Sequence, residues 1–167
     1  MLNQDNQRED IRLAYLAGII DGEGTIAIRK HKQPLKYQPY ISIVNTHYGV
    51  VKMVADFIGA KRIFIHDPST NGYQGRKICY KATIVGRFKT KTIIEKLLPH
   101  LIIKRESAKI CLKLATEMKA SHVGKLHGKN YRTIPAEEAQ WREEIYQKYL
   151  DTVHPQRLNR MTPEMVK

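Results

Sequence analysis

An almost unbroken run of apolar and small residues between positions 11 and 20 constrains the fold of this chain more than any other feature. The run predicts a helix over residues 10–20 with Asp10 as its N-cap, and the two glycines within residues 21–24 predict a sharp turn after it. A helix that is apolar nearly all round is buried on several sides. Small side chains also thin one side of it, so that a second helix backbone can approach closely. These small residues are Ala14, Ala17 and Gly18.

Four later segments alternate apolar and polar residues with the period of two that is typical of β-strands. These predicted strands cover residues 25–32, 36–44, 62–66 and 77–85, and predicted helices cover residues 45–58, 89–98 and 104–119. The order predicts an α+β fold with an αββαββα core, in which a four-stranded antiparallel sheet carries the helices on one face. A basic loop over residues 119–133 and an extra C-terminal helix over residues 135–150 follow. The core is assigned to residues 1–118, and residues 119–167 are an extension of the same domain.

The charge of the chain is concentrated in its middle. The sequence has 29 Lys and Arg against 16 Asp and Glu, for a formal net charge of +13. The whole of this excess lies between residues 29 and 133, and the segments on either side are slightly acidic. Lys and Arg displace counterions condensed on phosphate, so the excess favours a polyanionic partner. Because the charge lies in predicted strands and helices, it indicates a folded nucleic-acid-binding surface; solubility alone is the alternative.

Composition argues against several other classes of protein. Two cysteines, Cys79 and Cys111, are too few for a disulfide framework and lack the spacing of a metal site. No apolar run approaches the ~20 residues that cross a membrane. The first ten residues are polar and acidic, unlike a secretory signal. We therefore expect an intracellular protein that is not secreted.

Residues 16–24 read LAGIIDGEG, which resembles the signature motif of the LAGLIDADG homing endonucleases. An alternating strand follows the motif at once, and the αββαββα order is similar to the core of that family. The resemblance covers roughly residues 8–115. It implies a site-specific homing endonuclease that hydrolyses phosphodiesters in both strands of a long, pseudo-palindromic DNA target.

The motif occurs once, and single-motif chains of this size form homodimers in this family. The chain contains no second thin, apolar helix to pack against the first, so a two-fold axis is expected to pair the helix with its twin. The expected partners are double-stranded DNA and a second copy of the chain, with no membrane and no small-molecule substrate. The expected interface residues are Leu13, Ala14, Ala17, Gly18 and Asp21.

The resemblance also puts the metal-binding acid at the eighth motif position, which is Glu23 here and is most often Asp in the family. Glu supplies the hard oxygen that Mg²⁺ prefers, and Gly22 is expected to add a backbone carbonyl. The implied metal is Mg²⁺, with Mn²⁺ as a substitute and Ca²⁺ bound without cleavage. Asp21 is either a second ligand or, the preferred interpretation, an acceptor for hydrogen bonds from nearby backbone.

Two further residues are expected to act in catalysis. Lys104, at the start of the last core helix, resembles the active-site lysine that organises water and charge around the phosphates. Its neighbour Arg105 is an alternative for this role, and contact with phosphate is the other interpretation of both residues. Asn45 resembles the polar residue that follows the second strand and holds the water network.

One face of the predicted sheet is basic and polar, and it carries five Lys or Arg without any Asp or Glu. Such a face can follow the major groove, where Arg and Lys favour guanine and Gln favours adenine. Two-fold symmetry then predicts half-sites of roughly one helical turn. The face comprises Arg29, His31, Lys36, Gln38, Tyr40, Ser42, Arg62, Phe64, His66, Lys77, Lys81 and Thr83. Gln33, Asn71 and Arg76 are expected at its periphery, and Lys119, Lys125, Lys129 and Arg132 are expected to contact phosphate.

Two other functions are compatible with the same sequence. One is a non-cleaving RNA-binding maturase, and the other is a DNA-binding regulator that keeps the fold without catalysis. Glu23 and Lys104 favour the endonuclease, because neither binding function needs a metal ligand.

Overall fold

The structure of the chain is a computed structural model that describes residues 4–32, 35–67, 77–119, 122–126 and 129–156. For residues 122–126 and 129–133 the description is limited to the backbone. The elements are α1 (Gln4–Glu23), β1 (Gly24–Lys32), β2 (Leu35–Asn45), α2 (Tyr48–Ile58), β3 (Ile63–His66), β4 (Cys79–Val85), α3 (Arg87–Leu97), α4 (Arg105–Glu117), β5 (His122–Leu126), β6 (Lys129–Thr133) and α5 (Ala136–Val153). This order confirms the predicted α+β class and the αββαββα core.

The main sheet has the strand order β1-β2-β4-β3, with every neighbouring pair antiparallel. Its register aligns Ile26 with Ile41 and Ile41 with Ile84, and these three side chains are buried. Because side chains alternate across a strand, this register fixes one apolar face against the helices and leaves the opposite face to solvent. The helices pack on the apolar face, as predicted.

Helix α1 is longer than the sequence predicts, and the prediction of its ends is wrong. It begins at Gln4 instead of Asp10, and it remains helical through Glu23 instead of turning at residue 21. Strand β1 then begins at Gly24 with no connecting residue. A Cβ atom at Gly24 would lie 2.9 Å from the Cα of Ile20, so only glycine fits this junction.

Helix α2 is terminated by local chemistry at both ends. The ring of His47 accepts a hydrogen bond from the amide of Val50 at 3.4 Å, and His47 is the N-cap. Gly59 ends the helix with a φ of 67°, a left-handed conformation that glycine adopts without strain. The helix therefore starts at Tyr48, three residues after the predicted start at Asn45, which is instead the last residue of β2.

The prediction of a loop over residues 119–133 is wrong. Residues 122–126 and 129–133 form an antiparallel hairpin of two strands, β5 and β6. The hairpin packs mainly on itself, so its position in the molecule depends on the residues that join it to α4 and α5.

Helix α5 packs against α4 and β1, and its Ile145 and Tyr149 join the hydrophobic core. Burial raises the pKa of the Tyr149 phenol. Burial likewise raises the pKa of the Cys111 thiol on α4, which makes Cys111 a packing residue without nucleophilic character. Among the described helices, none has the length and apolar character that crossing a membrane would need.

Candidate functional site

The C-terminal end of α1 presents an exposed carboxylate on Glu23, the last residue of the helix. The end of a helix carries partial negative charge from carbonyls without intrahelical partners, and α1 has no basic residue in its last turn. An anionic side chain at this position is unfavourable unless a cation neutralises both its carboxylate and the partial negative charge of the helix end. The local electrostatics therefore suit a cation bound at Glu23.

Asp21 is buried and holds the loop that leads into α4. Its Oδ2 accepts hydrogen bonds from the amides of Ile102 at 2.7 Å and Ile103 at 3.2 Å, and its Oδ1 accepts one from Lys104 at 2.8 Å. The preferred interpretation of Asp21 as an acceptor for backbone amides was therefore correct, but the amides lie 81–83 positions away along the chain. With three amide donors, the carboxylate fixes the loop that leads into α4.

The same contact brings Lys104 to the end of α1. The Lys104 ammonium donates a hydrogen bond to the backbone carbonyl of Asp21, two residues before Glu23. A cation at a helix C-terminus is stabilised by the partial negative charge there. The structure thus places Lys104 and Glu23 at the same end of α1. Arg105 is directed elsewhere, because its guanidinium donates to the carbonyls of Leu101 and Pro99.

Asn45 lies at the same end of the sheet. It is two residues beyond Ile43, which pairs with Gly24 at the start of β1. Its Oδ1 accepts a hydrogen bond from the amide of His47 at 2.8 Å, so the carboxamide is oriented by its own chain and its NH₂ group is left as a donor. The three predicted catalytic residues therefore converge on one end of the sheet.

The donor set at this end fits a divalent ion that also binds substrate. The described residues contain no group of three or more His, Cys, Asp or Glu arranged to hold a metal. Glu23 and the carbonyl of Gly22, in the last helical turn, are oxygen donors at an open position. Mg²⁺ is commonly held by one or two carboxylates plus substrate phosphates and water, in contrast to an all-protein cage.

The solvent face of the sheet collects the polar residues that alternation predicted. The register pairs Arg29 with Gln38, His31 with Lys36, and Ser42 with both Thr25 and Thr83, all on the face opposite Ile41. Phe64 pairs with Lys81 at the β3 edge and completes the face, with Phe64 largely exposed. The guanidinium of Arg29 lies 5.0 Å from the ring centroid of Tyr40.

Two buried polar atoms on this face have no hydrogen-bond partner within the described part of the chain. They are Nε2 of His31 and Oγ1 of Thr83. Buried polar atoms are normally paired, so these two are exceptions on the sheet face.

Some predicted residues cannot be placed. Gln33, Asn71 and Arg76 lie outside the described residues. Lys125 lies on β5, and Lys129 and Arg132 lie on β6, but their side chains are outside the described part of the structure.

A stripe along α1 is exposed and apolar. Ile11 and Tyr15 are 71% and 61% exposed, and a Cβ atom at Gly18 or Gly22 would meet nothing within 4 Å. We call Ile11, Ala14, Tyr15, Gly18 and Gly22 the α1 stripe. Two of the predicted interface residues, Ala17 and Asp21, do not belong to the α1 stripe. The prediction is corrected for these two, because both are buried inside their own chain. Leu13 does not belong to the stripe either, because it is half-buried on the side of α1 that faces Phe57 and Lys96.

Sequence reasoning missed two features near the site. Ile102 and Ile103 are 82% and 76% exposed, beside the end of α1 that Asp21 fixes. Their apolar run was visible in the sequence, but only the bond to Asp21 reveals where it lies. The second feature is a group of ionic contacts made by α5, whose partners lie far away along the chain.

Comparison with known proteins gives consistent matches. No family model matches the sequence. The DNA endonuclease I-CvuI of Chlorella vulgaris is 24% identical over 120 residues, which cover 68% of this chain and 69% of that protein. Two crystal structures of the homing endonuclease I-CvuI each cover 85% of this chain and 96% of theirs. The complex with its own target and 2 mM Ca has a TM-score of 0.51 at 20% identity. The complex with an I-CreI target and 2 mM Mg, in which the DNA is not cleaved, has a TM-score of 0.52 at 21% identity.

The structural matches show that the fold is shared. The sequence match adds similarity that covers more than two thirds of the chain, and residues 16–24 carry the motif at the helix-to-strand junction where the candidate metal ligand lies. Together, these findings show that the chain shares the fold of the homing endonuclease I-CvuI and is similar to that protein in sequence.

Proposed function

We propose that two copies of this chain form a homing endonuclease that cuts both strands of a long, partly palindromic DNA site with a divalent metal. The single observation that carries this proposal is the junction of α1 and β1. There, an exposed carboxylate, a tethered lysine and the first strand of a basic sheet meet within a few residues.

DNA binding is supported by the chemistry of the sheet face. The face has Arg29, Lys36 and Lys81 exposed, and none of these three takes part in an ion pair with a described residue. Gln38 and the two unpaired polar atoms supply neutral hydrogen-bonding groups beside them. This mixture suits base edges in the major groove, where charged and amide side chains distinguish base pairs. The relative I-CvuI crystallises in complexes with DNA targets.

Metal binding is proposed at Glu23 with the carbonyl of Gly22. A bound divalent ion lowers the pKa of its water and stabilises charge on the departing oxygen. Lys104 would place positive charge beside the phosphate, and Asn45 would orient water through its NH₂ group. We propose Mg²⁺ as the physiological ion, with Mn²⁺ able to replace it and Ca²⁺ supporting binding only; the relative was crystallised with Ca and with Mg.

Dimerisation is proposed through the α1 stripe. Its glycines leave the helix backbone open over about one turn, which allows a second helix to pack at short distance. Pairing the stripe with its twin would bring two Glu23 carboxylates close together, one for each DNA strand. Their mutual repulsion favours bound cations.

The test is cleavage of a randomised library of double-stranded DNA in Mg²⁺, with Ca²⁺ in parallel, by wild type and Glu23→Gln. Loss of an outer-shell partner of a metal typically costs 10–100-fold, so loss of the ligand itself should reduce cleavage by more than about a hundredfold. Binding should be unchanged, because the sheet face is untouched. Glu117→Gln is the matched control, since Glu117 is the exposed last residue of α4 as Glu23 is of α1.

The outcomes separate the candidate functions. Cuts at one long, partly palindromic sequence that disappear in Glu23→Gln would support the endonuclease and its metal site. Equal cleavage by Glu23→Gln and wild type would refute the metal site. Enriched binding without cleavage in either ion would instead indicate a DNA-binding regulator, and no enrichment would direct attention to structured RNA.

A further inference from the structure

The β5–β6 hairpin is basic, and the other described helices and strands contact it little. Residues 119–133 contain four Lys or Arg and no acidic residue. The hairpin packs mainly on itself, so the core does not fix its direction. Its direction must be set where it leaves the body, at Lys119 on one side and at the start of α5 on the other.

Lys119 is held at both of its backbone groups by one buried ion pair. Oε1 of Glu138 accepts a hydrogen bond from the Lys119 amide at 2.9 Å, and Nη2 of Arg142 donates one to the Lys119 carbonyl at 2.6 Å. Arg142 and Glu138 bond to each other at 2.7 Å, and their side chains are 2% and 6% exposed. We call Glu138 and Arg142 the hairpin clamp. Four residues apart on α5, they fix the peptide groups on both sides of one residue.

The next residue of α5 binds the sheet. Glu143 accepts a hydrogen bond from Lys30 at 2.5 Å, another from the hydroxyl of Tyr37, and a third from Gln147 at 2.7 Å. Lys30 and Tyr37 are cross-strand partners on β1 and β2. Their immediate neighbours Arg29 and Gln38 are paired on the opposite, DNA-facing side. One turn of α5 therefore joins the root of the hairpin to the strands that read DNA.

A buried ion pair is a costly way to achieve stability alone. Removing two charges from water costs several kcal/mol per ion, and apolar replacements are often as stable or more stable. The clamp satisfies its hydrogen bonds with one backbone segment, which gives that segment a single orientation. A geometric role at Lys119 accounts for the pair better than stabilisation of the core does.

We propose that the hairpin clamp and Glu143 form a positioning device that holds the basic hairpin in register with β1 and β2, so that hairpin and sheet bind the same DNA duplex. The inference rests on the proposed function. The sheet contacts base edges, and the hairpin contributes phosphate contacts beside the outer part of the half-site. Glu138 and Arg142 do not touch DNA and act through the position of residues 122–133.

The test measures how binding to a random duplex of about three helical turns depends on salt, in Ca²⁺ to prevent cleavage. For each phosphate contact, log K falls by about 0.9 per tenfold rise in salt. The hairpin variant K125A/K129A/R132A should reduce the slope by about 2.7. The clamp variant E138L/R142M leaves the net charge unchanged and keeps apolar volume in place, and we expect nearly the same reduction. Combining the two variants should produce no further change, because both remove the same contacts.

Two controls keep the result interpretable. K52Q/D56N removes an exposed ion pair on α2, also without changing net charge, and should leave the slope at the wild-type value. R142K retains the charge but cannot donate to both Glu138 and Lys119 from a planar guanidinium, so it should produce a smaller reduction in the same direction. If E138L/R142M does not fold, the salt dependence of R142K tests the positioning role of the clamp.

A folded clamp variant with the wild-type slope would overturn the positioning role. A hairpin variant with the wild-type slope would show that the hairpin does not contact DNA. Additive effects of the two variants would also overturn the inference, since the clamp would then act elsewhere. Failure of wild-type protein to bind any duplex would refute the proposed function itself, which is a different outcome from these three.

Discussion

The two longest helices, α1 and α5, differ in how much of their surface is packed against the rest of the chain. Helix α5 finds all its partners within the chain: Ile145 and Tyr149 join the core, and Glu138, Arg142 and Glu143 bond to distant segments. Helix α1 buries Leu16, Ala17 and Ile20 on one side and exposes the apolar α1 stripe on the other. The contrast teaches that α1 carries an apolar surface that no described residue covers, whereas α5 exposes no comparable apolar stripe in the described part of the chain.

The largest effect is expected from Gly18→Leu on the α1 stripe, which tests this difference between α1 and α5. The site is open within one chain, and Leu is a better helix former than Gly by close to 1 kcal/mol, so the monomer should fold. The added side chain should prevent close helix packing and abolish both dimerisation and cleavage. Sedimentation equilibrium and a cleavage assay would measure the two effects.

Lys148→Leu on the exposed side of α5 is the control for Gly18→Leu. It should change neither the oligomeric state nor cleavage. A dimeric, fully active Gly18→Leu protein would eliminate the α1 stripe as the interface.

A second, smaller effect is expected from Asp21→Asn, which tests how α1 is attached to α4. Asn has one acceptor oxygen and cannot accept all three amide hydrogens of residues 102–104. Leaving a buried donor unpaired should lower the free energy of unfolding by about 2 kcal/mol. Urea denaturation would measure the loss, and cleavage should also fall because Lys104 is no longer fixed.

Asp5→Asn, in the exposed first turn of α1, is the control for this loss. If Asp21→Asn were as stable as wild type, the attachment of α1 to α4 would have to rest on apolar packing and on the bond from Lys104 to the Asp21 carbonyl.

The smallest effect should come from the attachment of α5, through Glu143. Burial opposes ionisation of Glu143, but hydrogen bonds from Lys30, Tyr37 and Gln147 outweigh it and lower the pKa to about 2 from the usual 4.5. Since the folded-state pKa is depressed, the stabilisation is present above about pH 4.5 and is lost as the pH falls towards 2. The side chain is one third exposed, and solvent screening should leave about 1 kcal/mol.

Urea denaturation at about pH 5 and about pH 3 would test this dependence. Glu143→Gln should lose less stability on acidification than wild type, and the exposed neighbour Glu144→Gln should behave like wild type. A Glu143→Gln profile parallel to that of wild type would remove Glu143 from the attachment of α5.

The sheet could be predicted from the sequence because its signal is local. A period of two assigns each residue to a face even when the ends of a strand are displaced, so Arg29, Gln38 and Lys81 were assigned to the correct side although β4 starts two residues later than predicted. The motif located Glu23 in the same way, since nine consecutive residues contain it.

What could not be predicted depends on distant partners. Gly22 and Gly24 suggested a turn, but Asp21 bonds to residues 102–104 beside the last turn of α1, which remains helical. The burial of Asp21 and the clamp on Lys119 likewise require knowledge of which segments meet. The β5–β6 hairpin has no apolar alternation and no sheet to join, so only hydrogen bonding between its two strands defines it.

The absence of a linker between α1 and β1 has a consequence for how accurately the proposed site would distinguish DNA sequences. Because Glu23 ends the helix and Gly24 begins the strand, no flexible linker separates the backbone of Glu23 from β1. On the proposed function, a displacement of β1 by a poorly matched duplex would move the backbone of Glu23, the proposed metal ligand. The same contacts would therefore affect two quantities, the affinity for a DNA sequence and the rate at which that sequence is cut.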